Sequence, residues 1–139
     1  HKDGLLTLQE LLQTGMNMAA EFYRADIRNL TQWAYYQRMA DMEEFKGIPI
    51  EQIKSSGYVV DSIEATVWCL VHTDNIEECL LKAANLGHDT DTVAAIAGGL
   101  AGLYYGYEEI PEGWSQKIQK REWVEEVCKL NSEEENQHE

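Results

Sequence analysis

The chain has 139 residues, 25 of them acidic and 11 basic, for a formal net charge of −14. At this length one domain with a real hydrophobic core is the natural expectation. So acidic a surface excludes one built to attract nucleic acid or anionic lipid.

The opening residues His1-Lys2-Asp3-Gly4 lead into no apolar core, so the sequence gives no signal peptide. Thr7-Leu8-Gln9-Glu10 reads as a capping box, with Thr7 as N-cap and Glu10 reaching back. It predicts a helix through about Tyr23 that buries Leu8, Leu11, Leu12 and Met16. The stretch from Ala25 to Asp41 leans helical with a weaker pattern, and Trp33, Tyr35, Tyr36 and Met39 are its packing candidates. Gly47-Ile48-Pro49 breaks the run, Ile50 to Lys54 predicts one short turn, and Ser55-Ser56-Gly57-Tyr58 is a loop signal.

Asp61-Ser62-Ile63-Glu64 reads as a second capping box, opening a helix through about Val71. Asp74 is the expected N-cap of a third helix that runs to Leu86 and ends at Gly87, with Ile76, Leu80, Ala83 and Ala84 inside. A fourth helix is predicted from about Asp91 to Tyr105, closed by Gly106, and a last amphipathic one from Ser115 to Leu130. Tyr58-Val59-Val60 is a brief strand-like exception. The fold class expected is all-α: residues 1–131 in one helical domain and 132–139 as an acidic, disordered tail. The apolar stretch Val93 to Tyr107, 15 residues and glycine-rich, is shorter than the roughly 18 of a membrane span. Cys69, Cys79 and Cys128 lack zinc-like spacing and read as buried, reduced thiols of a cytoplasmic protein.

Two features stand out, the first structural and the second chemical. The fourth helix is slim, with Gly98, Gly99 and Gly102 in its interior, where each glycine costs about 1 kcal/mol relative to alanine. Close approach of neighbouring helices along Gly98-x-x-x-Gly102 explains the cost. At the head of this helix stands Asp89-x-Asp91-Thr92. Helix capping accounts for one aspartate there. Two carboxylates and a hydroxyl this close also suit a hard divalent cation, and spacing alone leaves both readings open. An EF-hand is excluded, because the following residues continue the helix where further ligands would be needed.

The segment Asn85-Leu86-Gly87-His88-Asp89-Thr90-Asp91-Thr92, the Ala/Gly helix after it, and Tyr104-Tyr105-Gly106…Ile110-Pro111-Glu112-Gly113-Trp114 together resemble the ADP-ribosylglycohydrolase family. Ser56-Gly57-Tyr58-Val59-Val60-Asp61-Ser62-Ile63-Glu64-Ala65 is similar to the block that precedes them in that family, so the resemblance spans about Ile53 to Trp114.

The resemblance implies an all-helical hydrolase that cleaves the bond between ADP-ribose and an acceptor, using two magnesium or manganese ions. Carried over by motif, Asp89, Asp91 and Thr92 are metal ligands, and Ser56, Gly57, Tyr58, Gly87 and His88 line the substrate pocket. Tyr58 is either a platform for adenine or a core tyrosine beside a turn, and His88, a glycine in many relatives, lines the pocket or faces solvent. Family members also carry a Gly-Asp-x-x-Gly block and a Thr/Ser-Asp-Asp motif, and neither occurs here. The chain therefore reads as the C-terminal half of such an enzyme, inactive alone, with an ADP-ribosylated substrate and the missing N-terminal half as partners. No catalytic residue is assigned. The competing expectations are a structural, crystallin-like relative and a helical interaction module.

Overall fold

The computed structural model describes residues 6–135, and all regular structure among them is helical. Residues 1–5, read above for a leader, lie outside the described residues. The chain divides into two compact units, one up to Glu109 and one from Ile110.

In the first unit, α1 (Leu8–Arg24) opens on the expected capping box: the Thr7 hydroxyl accepts the Glu10 amide, and the Glu10 carboxylate accepts the Thr7 amide at 2.7 Å. Leu8, Leu12 and Met16 are only half-buried, Leu11 is exposed, and Ala20 is the one fully buried residue of the helix. The weakly patterned stretch after it breaks into α2 (Leu30–Trp33) and a 3-10 segment, Ala34–Met39. Trp33 and Met39 are buried, and Tyr36 stacks on Tyr23 with ring centroids 5.8 Å apart. Asp41 caps α3 (Met42–Lys46) by accepting the Glu43 and Glu44 amides, and Met42 and Phe45 enter the core.

α4 (Val59–Val71) is the central helix: Val60, Ser62 and every residue from Glu64 to Leu70 are buried. α1, α3, the Ala34–Met39 segment, α5 (Ile76–Ala84) and α6 (Thr90–Tyr105) all pack on it. It starts at Val59, two residues before the expected box, and no strand forms at Tyr58-Val59-Val60. Asp61 and Glu64 are not capping partners, because both lie inside the helix and bind elsewhere. Asp61 accepts the Ser56 hydroxyl at 2.6 Å, and buried Glu64 pairs with Arg38 at 2.8 Å. The Trp68 indole donates to the Ile48 carbonyl at 2.8 Å, tying the preceding loop to α4.

Asn75, not Asp74, caps α5, since its side chain accepts the Glu78 amide at 2.8 Å. The helix stops at Ala84, short of Leu86, and its buried face is Ile76, Cys79 and Ala83, with Ala84 exposed. α6 matches the expected span and ends at Gly106, whose φ of +98° suits glycine. Val93, Ala97 and Ala101, one residue per turn, form its buried stripe against α4 and α5. The Tyr105 hydroxyl donates to the Thr73 carbonyl at 3.2 Å, fastening the far end of α6 to the α4–α5 corner.

The glycine face is narrower than expected. A Cβ on Gly98 would stand 3.1 Å from Leu80 Cδ2, whereas one on Gly99 or Gly102 would meet nothing within 4 Å. Only Gly98 is needed for the α5–α6 approach in this chain.

The second unit contains α7 (Glu112–Ser115) and α8 (Arg121–Glu135), not one helix from Ser115. Lys120 has φ +56°, a left-handed conformation that a right-handed helix does not pass through. α8 continues through Glu135, so residues 132–135 are helical where a disordered tail was expected, in keeping with the good helix propensity of glutamate. Residues 136–139 of that tail lie outside the described residues.

Candidate metal centre

Gly87 and His88 take positive φ values of 86° and 60°, which turn the chain sharply between α5 and α6. Glycine adopts this geometry freely, and histidine is among the side chains that tolerate it. Both residues are exposed. The turn delivers Asp89 to the N-cap position of α6, yet its side chain makes no capping bond to the backbone. Its Oδ1 instead accepts the Thr92 hydroxyl at 3.0 Å. The carboxylate is thus not consumed by the helix, which is the point that spacing left open.

Asp91 lies in the first turn of α6 and is exposed with Thr92, while Asp89 is half-buried. A hydrogen bond with the Asp89 carboxyl, then bonds from the Thr92 amide and its own, hold the Asp91 carboxyl below the usual carboxylate range. The donor set, two carboxylates and one hydroxyl, is all hard oxygen and fits magnesium or manganese in kind. It falls short in number, because an octahedral ion takes six ligands. Among the described residues no group of three or more His, Cys, Asp or Glu side chains comes together to hold a metal.

The loop before α4 meets this turn. The Asp89 amide donates to the Ser55 carbonyl at 2.9 Å, and the Ser55 hydroxyl donates to the Gly87 carbonyl at 2.6 Å. Gly57 sits against the Asp89 carboxylate, and a Cβ there would lie 3.1 Å from Oδ2. Ser56 points its hydroxyl to Asp61, and Tyr58, half exposed, occupies the N-cap of α4. The structure therefore brings Ser56, Gly57, Gly87 and His88 into one locality around Asp89. Sequence reasoning passed over Ser55, whose serine-rich loop carries no signal separating a buried hydroxyl from a solvated one. It also passed over the Arg38–Glu64 pair, formed across 26 positions.

The family model described as ADP-ribosylglycohydrolase matches residues 2–139. The chain belongs to the ADP-ribosylglycohydrolase family. The ADP-ribosylarginine hydrolase Tri1 of Serratia proteamaculans (strain 568) is 46% identical over 81 residues, 58% of this chain and 22% of that protein. The ADP-ribosyl-[dinitrogen reductase] glycohydrolase of Rhodospirillum rubrum is 40% identical over 76 residues, 55% of this chain and 24% of that protein. The human ADP-ribosylhydrolase ARH3 is 41% identical over 46 residues, 33% of this chain and 13% of that protein. These matches span about a quarter or less of the length of each ADP-ribosylglycohydrolase relative.

Proposed function

We propose that this chain supplies part of the active site of an enzyme that hydrolyses the bond between ADP-ribose and an acceptor. The observation that carries the proposal is the Asp89 carboxylate, not used to cap the helix and set beside Asp91 and Thr92 at the head of α6, in a chain of this family. Asp89, Asp91 and Thr92 would hold two magnesium or manganese ions together with groups from the rest of the protein. When bound, such ions supply positive charge that clamps a ribose diol and polarises a water.

The chain's own contributions follow from position. The first amides of α6, a helix of 16 residues, offer partial positive charge to an anionic pyrophosphate. Exposed Tyr58 would offer a flat ring to adenine, and Ser56, Gly57, Gly87 and His88, beside Asp89 in the chain or against it, would border the substrate. Residues 1–131 belong, in this reading, to the C-terminal part of one helical domain. A cytoplasmic location is part of the same reading, supported by the free, buried thiols of Cys69 and Cys79.

Exposed Ile96, Leu100 and Leu103 on α6 favour a second reading, a non-catalytic interaction module. A hydrolase whose remaining length covers that face accounts for them equally. Magnesium titration of the full-length protein separates the two, since a purely structural relative need not bind it. The decisive assay is release of ADP-ribose from ADP-ribosylated arginine, serine or another acceptor by the full-length protein. Asp89→Ala is expected to abolish release, and retained activity would sink the proposal.

A further inference from the structure

We infer that Ser55 is a positioning residue for Asp89, holding this carboxylate in place through two bonds to the turn before α6. The inference rests on the reading of Asp89 as a metal ligand. Ser55 is 2% exposed, and both of its polar contacts reach the same turn. Its hydroxyl donates to the Gly87 carbonyl at 2.6 Å, and its carbonyl accepts the Asp89 amide at 2.9 Å. These bonds, to the Gly87 carbonyl and the Asp89 amide, flank His88, whose φ is +60° and which follows Gly87 at φ +86°. Such a conformation at a non-glycine residue persists where surrounding contacts over-determine it. Without the hydroxyl, the Gly87 carbonyl loses its partner and the turn loses one of its two anchors.

The anchoring loop is itself held by the core. Ser62, buried in α4, donates its hydroxyl to the Ser56 carbonyl at 3.0 Å, and Ser56 donates to Asp61 at 2.6 Å. Restraint thus passes from central α4, through residues 55 and 56, to the turn that presents Asp89. Groups that orient a metal ligand typically alter affinity by about 10–100-fold when removed.

The test uses the full-length protein as wild type, Ser55→Ala and Ser55→Cys, the last near serine in size with only a weak donor. Two quantities are read: amide hydrogen exchange at His88 and Asp89 without metal, and Mn2+ affinity by calorimetry. Ser55→Ala should speed exchange by up to about tenfold, the value of one hydrogen bond, and weaken Mn2+ binding by about tenfold or more. Ser55→Cys should fall between, and it carries the test if Ser55→Ala does not fold. Unchanged exchange overturns the inference, and so does faster exchange or a lower melting temperature with unchanged Mn2+ affinity. A wild type that takes no Mn2+ overturns the metal reading instead, and exchange at Asp89 then decides the role of Ser55 alone.

Discussion

Gly57 stands against Asp89 so closely that a β-carbon on it would lie 3.1 Å from the carboxylate Oδ2. Its φ is not of the kind that demands glycine, so what it supplies is clearance. The Asp89 carboxylate has little freedom to yield, because its other oxygen accepts the Thr92 hydroxyl. Gly57→Ala should therefore displace the carboxylate while leaving the fold within about 1 kcal/mol of wild type. Mn2+ affinity of the full-length protein should fall about tenfold, and calorimetry that finds it unchanged would show that Asp89 yields or is not a ligand.

The sequence made the helices and the acidic motif legible, and it misplaced what depends on partners far along the chain. The Thr7–Glu10 box is local and came out as expected, because cap and helix lie within one turn. Asp61 and Glu64 have the same spacing, but Ser56 and Arg38 claim their carboxylates and α4 starts before them. The same limit applies at the candidate site. Asp89, Asp91 and Thr92 are readable as a cluster, whereas the contact of Ser55 with Gly87 spans 32 positions and has no local signature. Gly98 and Gly102 share a spacing, and only tertiary contact tells which of them a neighbour crowds.

That difference between glycines has a measurable consequence. Gly99→Ala in this chain meets open space and exchanges glycine for the better helix former, so it should stabilise by about 0.5–1 kcal/mol. Gly98→Val should instead destabilise by about 1–3 kcal/mol, because its side chain enters the space of Leu80. Urea unfolding of both variants checks the ordering. If the rest of the full-length protein covers this face of α6, Gly99→Ala reverses sign there, and a gain in both contexts would argue against that cover.

Burial pushes the Cys69 thiol up to about 12 and raises Cys79 as well. Thiolate is the reactive form, so at pH 8 both should resist alkylation until the core opens. Peptide mass mapping after brief iodoacetamide treatment should find them unlabelled in native protein and labelled in urea. Native labelling at the denatured rate would place them outside the core.

Arg38 and Glu64 form a pair at 2.8 Å in which the carboxylate side chain is 4% exposed and the guanidinium side chain 43%. Burial raises the Glu64 carboxyl above its usual value of 4.5, and the Arg38 charge opposes the rise. Between the usual and the raised value the folded state holds the proton more firmly than the unfolded chain. The associated stability is full below about pH 4.5 and is lost as pH climbs through the raised value. Arg38→Ala removes the opposing charge, raises the carboxyl further and leaves a buried carboxylate unpaired at neutral pH. The cost at pH 7 should be about 2–3 kcal/mol, below that of breaking a fully buried pair because Arg38 is partly hydrated. At pH 5 the carboxyl is protonated more readily and the cost should shrink. Urea unfolding of wild type and Arg38→Ala at both pH values reads the difference, and an equal loss at the two would assign the effect of Arg38 to packing of its stem.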